Sequence, residues 1–264
     1  MRVVPIACLA DNYAYLLVCP ETRQAAIVDP SEAGPVLRAV EEQAGRTRDL
    51  KVVAILATHH HPDHVGGNVE VARALGIERV YGHASDMGRL PSLSSSVEDG
   101  ATFTIGSLLV RALHVPGHTL GAVAYLVTRE PADPVVFTGD TLFVGGCGRI
   151  FEGDPAMMHA SLTKLGRLDP RAQVYCGHEY TEANLRFAAH VEPTNQAVVR
   201  ARARAAELRR GHQPTVPTTI GDELTYNPFL RAGSAEVRAT RGISASAPPA
   251  EALGAIREAK NAFR

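Results

Sequence analysis

The densest chemistry in the chain lies in Thr58-His59-His60-His61-Pro62-Asp63-His64, which contains the pattern H-x-H-x-D-H. Residues two apart in extended backbone project to the same side. His59 and His61 can therefore converge on one ion. Asp63 and His64 follow at the turn, where they can reach a second. Imidazole and carboxylate donors suit zinc, iron or manganese better than magnesium or calcium. Four ligands do not complete two sites, and three further candidates stand at strand ends. His118 lies in Val115-Pro116-Gly117-His118, Asp140 in Phe137-Thr138-Gly139-Asp140, and His178 in Cys176-Gly177-His178. Taken singly, either histidine reads as structural and Asp140 as a cap for a following helix. Taken together with the motif, they read as a metal centre. Asp29, at another strand end, reads equally as a support for the ligating histidines or as a cap or turn residue. His60, His83, His114, His159, His190 and His212 lack this context and read as structural or exposed.

The elements that must position these residues are partly legible. Strands are expected at Tyr15–Cys19, Ala25–Val28, Val52–Ala57, Leu108–Leu113, Ala122–Val127, Val135–Thr138 and Gln173–Cys176. Val52–Ala57 is a continuous apolar run and so a buried strand. A helix is expected over Val69–Leu75, ended by Gly76. Strands mixed with helices predict an α/β (α+β) layered sandwich. After Glu179 the character changes. Gln196–Arg210 is rich in the helix formers Ala and Arg, with Thr194 or Asn195 as its cap and Gly211 as its stop. Pro249–Arg264 reads as a final helix, and Ser244–Pro249 as a short linker. The division expected is a catalytic domain over residues 1–178 and a small helical domain over 179–264.

Composition excludes several classes of function. The 264 residues carry a formal net charge of −1, so no global basic field invites nucleic acid or an anionic membrane. Arg200, Arg202, Arg204, Arg209 and Arg210 read as a solvated helix face. No run is long and apolar enough for a membrane helix. Asp11 and Asn12 interrupt the apolar N-terminal stretch, which argues against a signal peptide. Cys8, Cys19, Cys147 and Cys176 are scattered, which suits a reducing compartment. The expectation is a soluble, cytoplasmic monomer.

The motifs resemble the metallo-β-lactamase superfamily, whose fold is an αββα sandwich with metals at one sheet edge. Three further segments resemble the glyoxalase II family within it. They are Gly145-Gly146-Cys147-Gly148-Arg149-Ile150-Phe151-Glu152-Gly153; Cys176-Gly177-His178-Glu179-Tyr180-Thr181 with Asn184-Leu185; and Arg257-Glu258-Ala259-Lys260-Asn261-Ala262-Phe263, with Thr219-Ile220-Gly221 and Asn227-Pro228-Phe229-Leu230-Arg231 before it. The resemblance covers essentially the whole chain. It implies two divalent ions, zinc foremost, with iron or manganese as alternatives. His59, His61 and His118 would bind one, Asp63, His64 and His178 the other, and Asp140 would bridge them. It also implies hydrolysis of an S-2-hydroxyacylglutathione thioester, such as S-D-lactoylglutathione, to a 2-hydroxy acid and glutathione, the second step of methylglyoxal detoxification. Asp63, His64 and Asp140 would be the catalytic groups.

Two ions lower the pKa of a shared water, and one polarises the carbonyl, so no serine or cysteine nucleophile is required. Neither Cys147 nor Cys176 has an evident base partner. Arg257 and Lys260, three apart on a helix, share a face and suit a glutathione carboxylate. Arg149 would add charge and Tyr180 a phenol. Phe151, where the family often has tyrosine, lacks one hydroxyl, and Ala122 stands where many relatives have histidine. Competing expectations are a mononuclear-iron glutathione persulfide dioxygenase, a β-lactamase or lactonase, and a non-catalytic scaffold of the same superfold. The helical tail argues against the first two, and the full ligand set against the last.

Overall fold

The computed structural model describes residues 1–263. The chain forms two compact units, one of Met1–His114 with Gly121–Gly139, the other of Val115–Leu120 with the chain from Asp140 onward.

Besides a short 3-10 turn at Ala84–Asp86, the first unit contains ten strands and three α-helices. These are β1 (Arg2–Cys8), β2 (Asn12–Cys19), β3 (Gln24–Val28), α1 (Ala33–Arg46), β4 (Lys51–Leu56), α2 (Pro62–Val65), α3 (Asn68–Leu75), β5 (Val80–His83), β6 (Ser95–Val97), β7 (Thr102–Ile105), β8 (Leu108–His114), β9 (Val123–Arg129) and β10 (Ala132–Gly139). One sheet runs in the order β1-β2-β3-β4-β5-β6. Its first three strands are antiparallel and the rest parallel. The strands β7 to β10 form antiparallel neighbours in chain order. All eight residues of β2 are buried. A strand buried on both faces loses the apolar–polar alternation of a half-exposed one. The sheets meet through aromatic side chains. Tyr15 of β2 lies 5.4 Å from Phe137 of β10, and Tyr81 of β5 stacks on Phe103 of β7 at 3.9 Å. On its other face the first sheet packs Ile6, Leu16, Ile27 and Ile55 against Val36 and Val40 of α1 and Val71 of α3. Val36, Val40 and Gln43 recur at helical spacing, so one stripe of α1 is buried.

The second unit contains β11 (Leu142–Phe143), β12 (Gly146–Cys147), α4 (Pro155–Gly166), β13 (Gln173–Cys176), α5 (Thr181–Val191), α6 (Gln196–Arg210), β14 (Thr218–Thr219), α7 (Ile220–Tyr226), α8 (Ala235–Thr240) and α9 (Pro249–Ala262). β11 and β12 form a tight hairpin, and β13 pairs with β14. Asp154 caps α4 by accepting from the Met157 amide, with Pro155 in the first turn. Asn195, rather than Thr194, caps α6 by accepting from the Ala197 amide, and Gly211 follows its last turn. The expected final helix is α9, and Arg264 lies outside the described residues.

Three expectations change. The strand at Tyr15–Cys19 begins at Asn12, because Asn12 and Tyr13 also pair with β1. Strand β10 begins at Ala132, ahead of Val135, through an irregularity in its register with β9. Asp140 caps no helix, since the hairpin strand β11 follows it. No helix of the described residues is long and apolar enough to cross a membrane.

Candidate functional site

In the first unit, β4 ends at Leu56 and delivers the ligand motif directly. His59 is 1 % exposed and its Nδ1 lies 3.0 Å from Thr58 Oγ1. That partner turns Nε2 to the other side, where it comes within 3.1 Å of His61 Nδ1. Two ring nitrogens this close need a proton or a cation between them. His64 is equally buried, and its Nδ1 lies 3.0 Å from Asp29 Oδ2. Its Nε2 sits 3.6 Å from Asp63 Oδ2. The Asp63 carboxylate and main-chain carbonyl both accept from Asn12 Nδ2, at 3.1 and 2.9 Å. The motif thus offers two pairs of donor atoms, each steadied by a neighbour.

Asp29 resolves as a support. Its carboxylate accepts from the Thr58 amide at 2.7 Å and the Thr58 hydroxyl at 2.6 Å, in addition to facing His64. Asp29, His59 and His64 each place one ligand atom within 4.8 Å of the others. With both Asp29 oxygens engaged, the residue steadies His64 directly and holds Thr58, which in turn faces His59, as outer carboxylates do at metal sites. The cap reading fails, because Glu32 holds the position before α1. His60 lies beside the buried Asp86 at 3.1 Å, and His83 stacks on His114 at 4.0 Å.

In the second unit, Asp140 Oδ2 lies 3.5 Å from His118 Nε2 and 3.3 Å from His178 Nε2. One carboxylate oxygen therefore faces two imidazole nitrogens. The Arg149 carbonyl holds His118 Nδ1 at 2.8 Å, which leaves Nε2 to face Asp140. Gly148 makes this possible. A Cβ there would stand 1.9 Å from the Asp140 carbonyl oxygen and 3.0 Å from His118 Nδ1. His178 is stacked on Tyr180 with ring centroids 4.7 Å apart, and Phe143 packs edge-on against both rings.

The candidate substrate residues belong to this second unit. Phe151 is exposed, 5.3 Å from the His118 ring. Arg149 and Tyr180 are exposed. Lys260 donates to the Ala183 carbonyl at 3.2 Å, and its ammonium sits over Phe187 and Phe263. Burial pushes its pKa down to about 8, helped by repulsion from Arg257, Arg186 and Arg149. These cations form one positive field, and Arg186 is a member that the sequence alone did not single out. Arg257 is buried, donates from Nη1 to the Cys147 carbonyl at 2.7 Å, and lies over the Phe229 ring. The four cysteines are free and buried. Burial raises the Cys147 thiol to about 11 and the Cys176 thiol to about 12, so neither supplies a thiolate nucleophile at neutral pH.

The donor chemistry fits divalent metal. Paired imidazole nitrogens and carboxylate oxygens are turned away from their hydrogen-bonded supports in both units.

Residues 10–178 match the family described as the metallo-beta-lactamase superfamily, and residues 179–263 match the hydroxyacylglutathione hydrolase C-terminus. The hydroxyacylglutathione hydrolase of Methylococcus capsulatus is 44% identical over 264 residues, spanning 100% of this chain and 99% of its own. Among solved structures, ETHE1 from Myxococcus xanthus superposes with a TM-score of 0.66 at 24% identity over 100% of both chains, a likeness of fold. TTHA1623 in a di-iron-bound form gives a TM-score of 0.58 at 28% identity over 87% of this chain and 100% of its own.

Proposed function

The chain belongs to the hydroxyacylglutathione hydrolases of the metallo-β-lactamase superfamily, and from that premise we propose that it hydrolyses the thioester of S-2-hydroxyacylglutathione, S-D-lactoylglutathione foremost, to a 2-hydroxy acid and glutathione. The observation that carries this reading is that the second unit holds both the His118–Asp140–His178 run and the cations Arg149, Arg257 and Lys260. Glutathione thioesters bring carboxylates as well as an acyl group, and these cations meet that need.

In this reading His59, His61 and His118 would hold one ion and Asp63, His64 and His178 a second, with Asp140 as a ligand available to both. Zinc is the first candidate, with iron or manganese equally compatible with the donor set. Such ions supply an acidified water near neutral pH and polarise a carbonyl. The protein's own groups do the rest. Asp29 and Thr58 fix the tautomers of His64 and His59. Asn12 holds the Asp63 carboxylate, which would serve as a ligand and help to orient the water. Lys260, Arg257 and Arg149 draw the peptide carboxylates, and Tyr180 offers its phenol. Residues 179–264 serve as the glutathione-binding domain, and the monomer works in a reducing, cytoplasmic setting that keeps its thiols free.

The test is loss of S-D-lactoylglutathione thioester absorbance with metal-replete and chelated protein, alongside Lys260→Ala. Chelation is expected to abolish turnover, and Lys260→Ala to raise KM about tenfold, the scale of one charge-assisted contact. Metal-loaded protein that leaves the thioester intact but consumes oxygen with glutathione persulfide would overturn the reaction.

A further inference from the structure

One buried carboxylate in the second unit has no part in the chemistry above. Glu223, on α7, is 0 % exposed. Burying a carboxylate is unfavourable unless its oxygens are fully paired, and these are. Oε2 accepts from the Gly145 amide at 2.9 Å and from Asn227 Nδ2 at 2.8 Å, while Oε1 accepts from the Tyr226 hydroxyl at 2.7 Å. Asn227 Nδ2 also donates to the carbonyls of Gly146, at 2.9 Å, and Phe143, at 3.3 Å. Asn184 Nδ2 donates to the Val144 carbonyl at 3.1 Å. With Arg257 on the Cys147 carbonyl, every residue from Phe143 to Cys147 has a main-chain group gripped by a buried side chain.

That gripped stretch is the β11–β12 hairpin. Asp140 stands just before it. Gly148 and Arg149 stand just after it, and the Arg149 carbonyl fixes His118 Nδ1. The hairpin is therefore the covalent link between the Asp140 carboxylate and the group that orients His118.

We propose that Glu223 and Asn227 are positioning residues, which hold the β11–β12 hairpin so that Asp140 and His118 keep the spacing a metal ion requires. This rests on reading His118 and Asp140 as ligands. A hairpin of two-residue strands has little ladder of its own to keep its shape. Side chains on its backbone supply that rigidity. A fully satisfied buried polar network fixes one arrangement where an apolar contact tolerates several.

The experiment is zinc affinity of the holoenzyme, measured by competition with a chromophoric chelator, for Glu223→Ala, Asn227→Ala and Glu223→Gln. His118→Ala serves as the reference, and thermal melting is recorded for each. Glu223→Ala and Asn227→Ala are expected to weaken zinc binding by about 10- to 100-fold, the range for groups that orient ligands. Glu223→Gln is expected to stay within about threefold. Its carbonyl still accepts from Gly145 and Asn227, and its amide donates to Tyr226, whose hydroxyl passes its proton to Thr218 Oγ1, 2.7 Å away.

Wild-type zinc affinity in both alanine variants, whatever their melting temperatures, would make the network purely structural and overturn the proposal. So would Glu223→Gln losing as much as Glu223→Ala, since charge and not positioning would then matter. Should Glu223→Ala fail to fold, Asn227→Ala, which leaves the carboxylate in place, decides. An unchanged zinc content in His118→Ala would remove the ligand reading itself, and the proposal with it.

Discussion

The two units supply candidate metal donors by opposite means. In the first, four candidate donors come from six consecutive positions at the end of one buried strand, and three of them, His59, His64 and Asp63, are steadied by Thr58, Asp29 and Asn12, each one hydrogen bond away. In the second, His118, Asp140 and His178 come from three separate loops, and in our proposal the spacing of His118 and Asp140 depends on a buried network whose members lie far along the chain. A contiguous motif inherits its geometry from the strand that carries it. Scattered donors need it imposed from outside, by groups that never touch the reaction.

Substitutions can break that contrast. The largest effect is expected for Asp140→Ala, which removes the one oxygen that faces two histidines. We expect a fall in kcat/KM on the order of 1,000-fold, equivalent to roughly 4 kcal/mol, with loss of bound metal by elemental analysis. A fall of less than about tenfold would deny Asp140 its central place. Asp29→Asn comes next. It keeps the shape but weakens the support of a single histidine, so metal affinity should drop by about 10- to 100-fold, with the second unit's donors unperturbed. Equal effects of Asp29→Asn and Glu223→Ala on zinc affinity would show that near and remote supports contribute alike. The smallest effect concerns Lys260. Its pKa is pushed down to about 8, so it is charged below that pH and neutral above. KM for the thioester should therefore rise as pH climbs through that value, by about two- to fivefold, the scale of a single screened charge. Lys260→Arg, which stays charged, should flatten the profile.

Legibility followed the same division. H-x-H-x-D-H after an apolar run announced the first unit's donors, because spacing and strand end coincide in one stretch of sequence. The Ala- and Arg-rich α6 is equally plain, with Gly211 at its end, although its cap lay between Thr194 and Asn195 until the structure gave it to Asn195. Glu223 was not legible. A glutamate in a short helix beside the exposed Asp222 has the sequence appearance of a solvent charge, and only the fold turns it inward. Arg257 shows the converse limit. Its spacing from Lys260 suggests a paired clamp, yet one of its nitrogens is spent on the Cys147 carbonyl. Several elements carry no clear signal in the sequence, among them β1, β5 to β7, α4, α5, α7 and α8, and in α1 Gly34, Pro35 and Gly45 mask the apolar stripe. Asp29 was visible as a strand-end carboxylate but ambiguous until Thr58 and His64 were seen to share it.

The burial of the four sulfurs has a consequence of its own. A protein that handles thioesters and releases a thiol is surrounded by partners for acyl exchange. Any reachable thiolate of its own would attack the bound carbonyl, carry off the acyl group, and leave the protein modified on that residue. Cys8, Cys19, Cys147 and Cys176 all lie inside the fold, and Cys147 and Cys176, the two in the second unit, are held protonated at neutral pH. The interior thus withholds from the substrate every thiol the chain owns, and water is left as the acyl acceptor.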